Sequence, residues 1–193
     1  MASTAEDAEA AFTPLITGYG NWLDQQHSEA EKLPAHLAEV ASEAIAEAEV
    51  VAERLRDGVA LLQANAQALQ AFRFMNRAMR DQRLHTQIAA MRTADDALSI
   101  KDATTAVTAL GDIAASWFPF QLAFILLQLP ALTDPANALR SGDASNVELL
   151  FFPTGGGKTE AYLGLAAYTF AIRRLQGTIT SDEGPLDGED GVA

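Results

Sequence analysis

The sequence predicts a mainly α-helical N-terminal region followed by the start of an α/β lobe that is left incomplete. Three observations predict it. From about Leu33 the chain is rich in Ala, Glu and Leu, with apolar residues at helical spacing. The short apolar run from Val147 to Phe152 has the length and composition of a strand buried on both faces. A glycine-rich turn and a second amphipathic stretch follow that run directly.

Composition bounds the rest. With 49% hydrophobic and 20% charged residues among 193, the chain can bury a core. The 26 acidic and 13 basic residues leave a net charge of −13, which makes for a poor stand-alone binder of phosphate backbones. Residues 1–60 carry a net charge of −9, whereas residues 61–160, with 9 acids and 8 bases, are nearly neutral. The middle is therefore the expected working body between acidic ends. There is no cysteine, so a disulfide framework, a Cys-ligated zinc site and a thiol nucleophile are all excluded. That usage fits a reducing cytoplasm, and Met1 to Ala11 has neither the basic nor the apolar part of a secretory signal.

Residues 1–32 read as an acidic, partly disordered N-terminus, and residues 33–112 as a helical region. Within the latter, Leu37, Ala41, Ala44, Ala48, Val51, Leu55, Val59, Leu62, Ala66 and Leu69 form one stripe of a long helix, which Asp57-Gly58 is placed to kink or split. The stripe either packs on the body or serves helical self-association, and its many alanines favour packing. The pattern continues through Phe72, Met75, Met79, Leu84, Ile88 and Met91. Arg73, Arg77 and Arg80 lie opposite, with Arg83 adjacent, and either touch phosphate or pair with acidic chain. Residues 113–133 contain no charge, but Pro119, Pro130, Gln121 and Gln128 argue for a buried helix over about Phe120 to Leu129 and against a membrane span. Residues 130–146 read as a loop, and residues 178–193 as an acidic loop that is cut short.

The chemistry is carried by Pro153-Thr154-Gly155-Gly156-Gly157-Lys158-Thr159, between the apolar run and an amphipathic helix from Glu160 to Leu175 closed by Gly177. Strand, glycine turn ending in Lys-Thr, and helix make the context of a phosphate-binding loop. Glycines without Cβ let several backbone N–H groups converge on one anion, and the helix adds the positive end of its dipole. In such a loop Lys158 reaches the β- and γ-phosphates of ATP and the Thr159 hydroxyl ligates Mg²⁺. Glu160, in the first turn, reads as a dipole-compensating helix starter. The strict Walker A pattern asks for Gly where Phe152 stands.

The run Phe152 to Thr159 resembles motif I of superfamily 2 helicases, which keep Pro-Thr-Gly and Gly-Lys-Thr and commonly place Ala or Gly at the position of Phe152. The longer string from Glu148 to Gly177, with Trp117 to Asp134 before it, is similar to the large helicases of the DISARM phage-defence system. The resemblance is firm over about residues 117–177 and weaker before them. It implies that residues 113–177 begin a P-loop (RecA-like) ATPase lobe. It also implies that Gln121, in Phe118-Pro119-Phe120-Gln121, contacts adenine; a polar residue at a helix start is the alternative.

The expected site is thus Thr154, Gly155, Gly156, Gly157, Lys158, Thr159 and Gln121 for ATP, with Lys158 and Thr159 catalytic and Thr159 on Mg²⁺. No acidic motif II, arginine finger or second lobe follows, and Asp182-Glu183 in a Gly/Pro/Asp loop are poor substitutes for motif II. The chain reads as the N-terminal part of an ATP-dependent DNA helicase or translocase, with little hydrolysis of its own. DNA, reached through the full-length protein, and other defence subunits are the partners implied. A helical interaction module with a vestigial nucleotide site is the alternative.

Overall fold

The computed structural model describes residues 5–140, 143, 145, 147–151, 156–181 and 184–186. Six α-helices dominate: α1 (Ala5–Ala30), α2 (Ala35–Ala64), α3 (Ala66–Ala94), α4 (Ile100–Thr108), α5 (Pro119–Thr133) and α6 (Lys158–Gln176). A single 3₁₀ turn, Gly111–Ala114, lies between α4 and α5. Strands β1 (Ile179–Ser181) and β2 (Gly184–Leu186) form an antiparallel hairpin, with Thr180 opposite Pro185.

The expected α/β lobe is not what forms: the described residues make a helical protein whose sheet is this one hairpin. Val147 to Phe151, expected as a central strand, has no strand partner among the described residues. A strand is stable only when neighbours take up its N–H and C=O groups. Here Val147, Leu149 and Phe151 are instead 92%, 80% and 87% exposed, while Glu148 and Leu150 turn partly inward. Residues 178–193, expected as a loop, contain the hairpin; the closing Gly191-Val192-Ala193 lies outside the described residues.

The core is a helical layer. Leu55, Val59 and Leu62 of α2 meet Leu69, Phe72, Met75 and Met79 of α3, Ile125, Leu126 and Leu129 of α5, and Tyr168 and Ile172 of α6. Helix α1, in the region expected to be partly disordered, docks through Phe12, whose ring meets Phe72 edge-on at 5.8 Å. Burying one such ring is worth about 2 kcal/mol, enough to hold a helix of otherwise weak amphipathicity.

The long helix breaks at Asn65 and not at Asp57-Gly58. Asn65 is extended (φ −119°, ψ 105°) and its side-chain oxygen accepts from the N–H groups of Gln67 and Ala68, both at 3.0 Å. That N-cap restarts the chain as α3. Gly58 has another use: a Cβ there would stand 2.3 Å from the backbone oxygen of Leu126, so α2 and α5 cross in backbone contact. The second half of the predicted stripe is therefore core, while Leu37 remains 45% exposed. Among the described residues no helix is long and apolar enough to cross a membrane.

Candidate nucleotide site at the start of helix α6

Helix α6 starts at Lys158 because Gly157, just before it, adopts the left-handed conformation (φ +85°, ψ 23°) that favours glycine. Gly157, at the N-cap, offers the first turn no side-chain cap, and the positive end of the α6 dipole favours an anion there. Lys158 is half-buried, Thr159 exposed and Glu160 half-buried in that turn. Of the other expected ligands, Gly156 is half-buried beside Gly157, whereas Thr154 and Gly155, with Phe152 and Pro153, lie outside the described residues. Asp182 and Glu183 lie outside them too.

Helix α5 brings Gln121 to this point. Gln121 is buried, and its side-chain oxygen accepts from the Phe118 N–H at 2.9 Å, half of a capping box in which Phe118 cannot reciprocate. Its amide nitrogen donates to the Gly157 carbonyl at 2.6 Å. The N–H of Phe118 needs an acceptor and the carbonyl of Gly157 a donor, so the amide has one orientation. Both ends of Gln121 are thus occupied by the protein itself, as the helix-start alternative requires, yet one of them sits on the glycine loop. A Cβ on Gly157 would lie 2.6 Å from that nitrogen, so glycine is required twice over.

The far ends of the two helices are also tied. Arg173 is 1% exposed and donates to the carbonyls of Leu132 at 2.7 Å and Thr133 at 3.5 Å, where α5 ends with its last carbonyls unmatched. Gln176 donates to the Thr133 carbonyl at 2.7 Å and accepts from Arg173. The hydroxyls of Thr133 and Tyr168 are 2.6 Å apart. Burial lowers the Arg173 pKa, helped by Arg140 and opposed by Tyr168 and Asp134. Burial likewise pushes the Tyr168 phenol up to about 12, against its bond to Thr133 and the nearby Arg173. Between these ties Trp117 packs its ring on Gly164 and donates from Nε1 to Asn76 at 2.7 Å.

Sequence reasoning missed a long-range tie. Arg54 of α2 donates from Nη1 to the Glu148 carboxylate at 2.6 Å, with side chains 15% and 26% exposed. The available signal was small: one acid inside an apolar run, and one of only three Lys or Arg residues among the first 60. Of the arginines of α3, Arg73 is half-buried while Arg77, Arg80 and Arg83 are exposed, and Arg80 pairs with its neighbour Asp81 at 3.5 Å. No cluster of three or more acidic or histidine side chains suited to a metal exists among the described residues. The Thr159 hydroxyl, exposed one residue into α6, suits a Mg²⁺ ion carried in with phosphate oxygens, which needs few protein ligands.

No family model matches the sequence. The chain is 39% identical over 172 residues to the DISARM protein DrmA of Bacillus paralicheniformis, an overlap that takes in 86% of this chain and 14% of that protein. It is thus related to a DISARM protein and spans about one seventh of that relative's length. Leaving out so little of the chain, the overlap contains α2 through α5 and the turn into α6, wherever its ends fall.

Proposed function

We propose that the chain is the nucleotide-binding part of a DISARM-type phage-defence helicase or translocase of superfamily 2, with ATP phosphates held at the N-terminus of α6. One observation carries the reading: the uncapped start of α6, left-handed Gly157, Lys158 and Thr159 stand together, with the Gln121 amide on the Gly157 carbonyl. Thr154, Gly155 and Gly156 supply further backbone donors, Lys158 the cation for the β- and γ-phosphates, and Thr159 the oxygen for Mg²⁺. Gln121 turns to adenine by exchanging its bond to Gly157. DNA and defence subunits are partners of the full-length protein, working in the cytoplasm.

Hydrolysis needs a metal-holding acid and an arginine finger, which these residues do not supply. The 193-residue chain is expected to bind Mg·ATP weakly, in the millimolar range, and to release almost no phosphate. The test is an amide NMR titration of the chain with Mg·ATP. Shifts centred on Gly156 to Glu160 that vanish in Lys158→Ala are expected; no shift at saturating nucleotide, or shifts unchanged in Lys158→Ala, refutes the site.

A further inference from the structure

One stripe of α2 is occupied along only part of its length. Leu37, Val40, Ala44, Ala48, Val51, Leu55, Gly58 and Leu62 follow one another at spacings of three and four, so they share one face of the helix. Toward its C-terminal end this face is covered: Leu55, Gly58 and Leu62 are buried, and Gly58 meets the Leu126 backbone of α5. Toward the N-terminal end the same face is bare. Val40 is 63% exposed, and Leu37, Ala44 and Leu33, the last in the turn before the helix, are exposed with it. From Ala35 to Val51 no residue is buried.

The border of the bare face is acidic. Glu39, Glu43 and Glu47 follow one another at i, i+4 and are all exposed, with Glu43 and Glu47 one turn from Val40, Ala44 and Val51. Among the described residues none of the three forms an ion pair. The surrounding chain has little to offer them. Of the three Lys or Arg residues among the first 60, Lys32 bonds Glu29 at 2.7 Å and Arg54 bonds Glu148 at 2.6 Å. An apolar stripe edged with unpaired carboxylates repels a second copy of itself, and it repels phosphate backbones and anionic lipid as well. It fits a helix with an apolar face and Lys or Arg along the edges of that face, the way flanking charges select partners in paired helices.

We propose that the segment from Leu33 to Val51 is a docking face for a basic amphipathic helix of another protein. Leu37, Val40 and Ala44 form the apolar seat, as Leu55, Gly58 and Leu62 do for α5 further along the same stripe. Glu39, Glu43 and Glu47 select the partner by charge. Helix α5 carries no charged residue, whereas the helix that covers the near half answers three carboxylates. The inference does not depend on the nucleotide reading.

The probe is a synthetic amphipathic peptide with Leu at heptad positions a and d and Lys at e and g, compared with the same peptide carrying Glu at e and g. Each is titrated into the 193-residue chain, with amide NMR locating the contact and fluorescence anisotropy giving Kd. The Lys peptide is expected to bind in the micromolar range, more weakly as salt rises, and to shift amides of residues 36–51 while sparing α3 and α6. The Glu peptide is expected not to bind. Leu37→Ser/Val40→Ser, at two exposed positions, should weaken binding by about tenfold or more with the fold intact. Glu39→Gln/Glu43→Gln/Glu47→Gln should weaken it about tenfold and flatten its salt dependence. The charge-matched Asp24→Asn/Glu53→Gln/Asp57→Asn should change it by about twofold at most. Equal losses in the two charge variants, or full affinity in Leu37→Ser/Val40→Ser, reduce the binding to general attraction for an acidic protein and overturn the proposal. Failure of the Lys peptide to bind overturns it too, as does a dimer of the chain that Leu37→Ser/Val40→Ser dissolves, which gives the face to a second copy.

Discussion

Replacing Gly58 with alanine tests the helix crossing directly. The added Cβ would sit 2.3 Å from the Leu126 oxygen, 2.9 Å from its carbonyl carbon and 3.3 Å from its Cα. All three are backbone atoms, so relief requires α2 and α5 to part by about 1 Å, which forfeits a quarter to half of the dispersion well at each contact on that seam. The seam includes Leu55, Val59 and Leu62 against Ile125, Leu126 and Leu129. Overpacking of this kind costs about 1–3 kcal/mol, and a contact with no mobile atom belongs at the upper end. Alanine returns about 1 kcal/mol of helix propensity. The net expectation is a loss of about 2 kcal/mol, or about 4–8 °C in Tm for a chain of this size. Urea unfolding followed by far-ultraviolet circular dichroism measures it, with Gly18→Ala in α1 as the control. A Cβ at Gly18 meets nothing within 4 Å, so that variant should gain up to about 1 kcal/mol. A Gly58→Ala chain as stable as wild type would show that the helices do not cross in backbone contact.

Two further outcomes follow from the same framework. Asn65→Ala removes the acceptor for two N–H groups at the start of α3 while leaving the Asn65 N–H on Leu61, and should cost about 1 kcal/mol by the same unfolding measurement. Tyr168 has its folded pKa raised to about 12 from 10.0, so the folded state holds its proton longer than the unfolded state does. Its contribution is fully present below pH 10 and is lost as pH rises from about 10 to 12, amounting to roughly 3 kcal/mol. Tyr168→Phe should flatten the alkaline fall of stability by that amount; an identical slope in both proteins refutes the assignment.

How much of this was legible depends on the range of the interaction that decides each element. Helix α5, expected over about Phe120 to Leu129, spans Pro119–Thr133, and α6 ends at Gln176 before Gly177, which has φ +63°. Both rest on local signals: a Pro at the start, a Gly at the end, and an apolar face between. The apolar run from Val147 was misread because its composition speaks only of burial, and a strand exists only if other strands stand beside it. Gly58 was misread as a break because a glycine in a helix looks the same whether it ends the helix or admits a neighbour's backbone. The docking of α1 was not legible because it rests on tertiary contacts such as that of Phe12 with Phe72 of α3. Within the site, the motif named Lys158 and Thr159 from spacing, whereas Gln121 came from family resemblance. The Arg54–Glu148 tie had only a faint sequence signature, a lone acid inside an apolar run, and 94 residues separate its partners.

The net charge of −13 and a phosphate site are compatible because charge acts locally. At physiological salt, interactions between exposed charges are largely screened beyond about 8 Å. The acids that produce the imbalance lie chiefly in residues 1–60, on α1 and α2. At the start of α6 an anion would meet Lys158, the positive end of the helix dipole, and Glu160 as the nearest acid in sequence. The Glu148 carboxylate, within the apolar run, is engaged by Arg54 at 2.6 Å. That pairing has two effects with one cause: it ties Glu148 to α2, and it balances the one negative charge of the apolar run. Glu148→Gln therefore separates the two. If anchoring dominates, it weakens Mg·ATP binding as Arg54→Met does; if charge dominates, the two substitutions move affinity in opposite directions, because Glu148→Gln removes a negative charge and Arg54→Met a positive one.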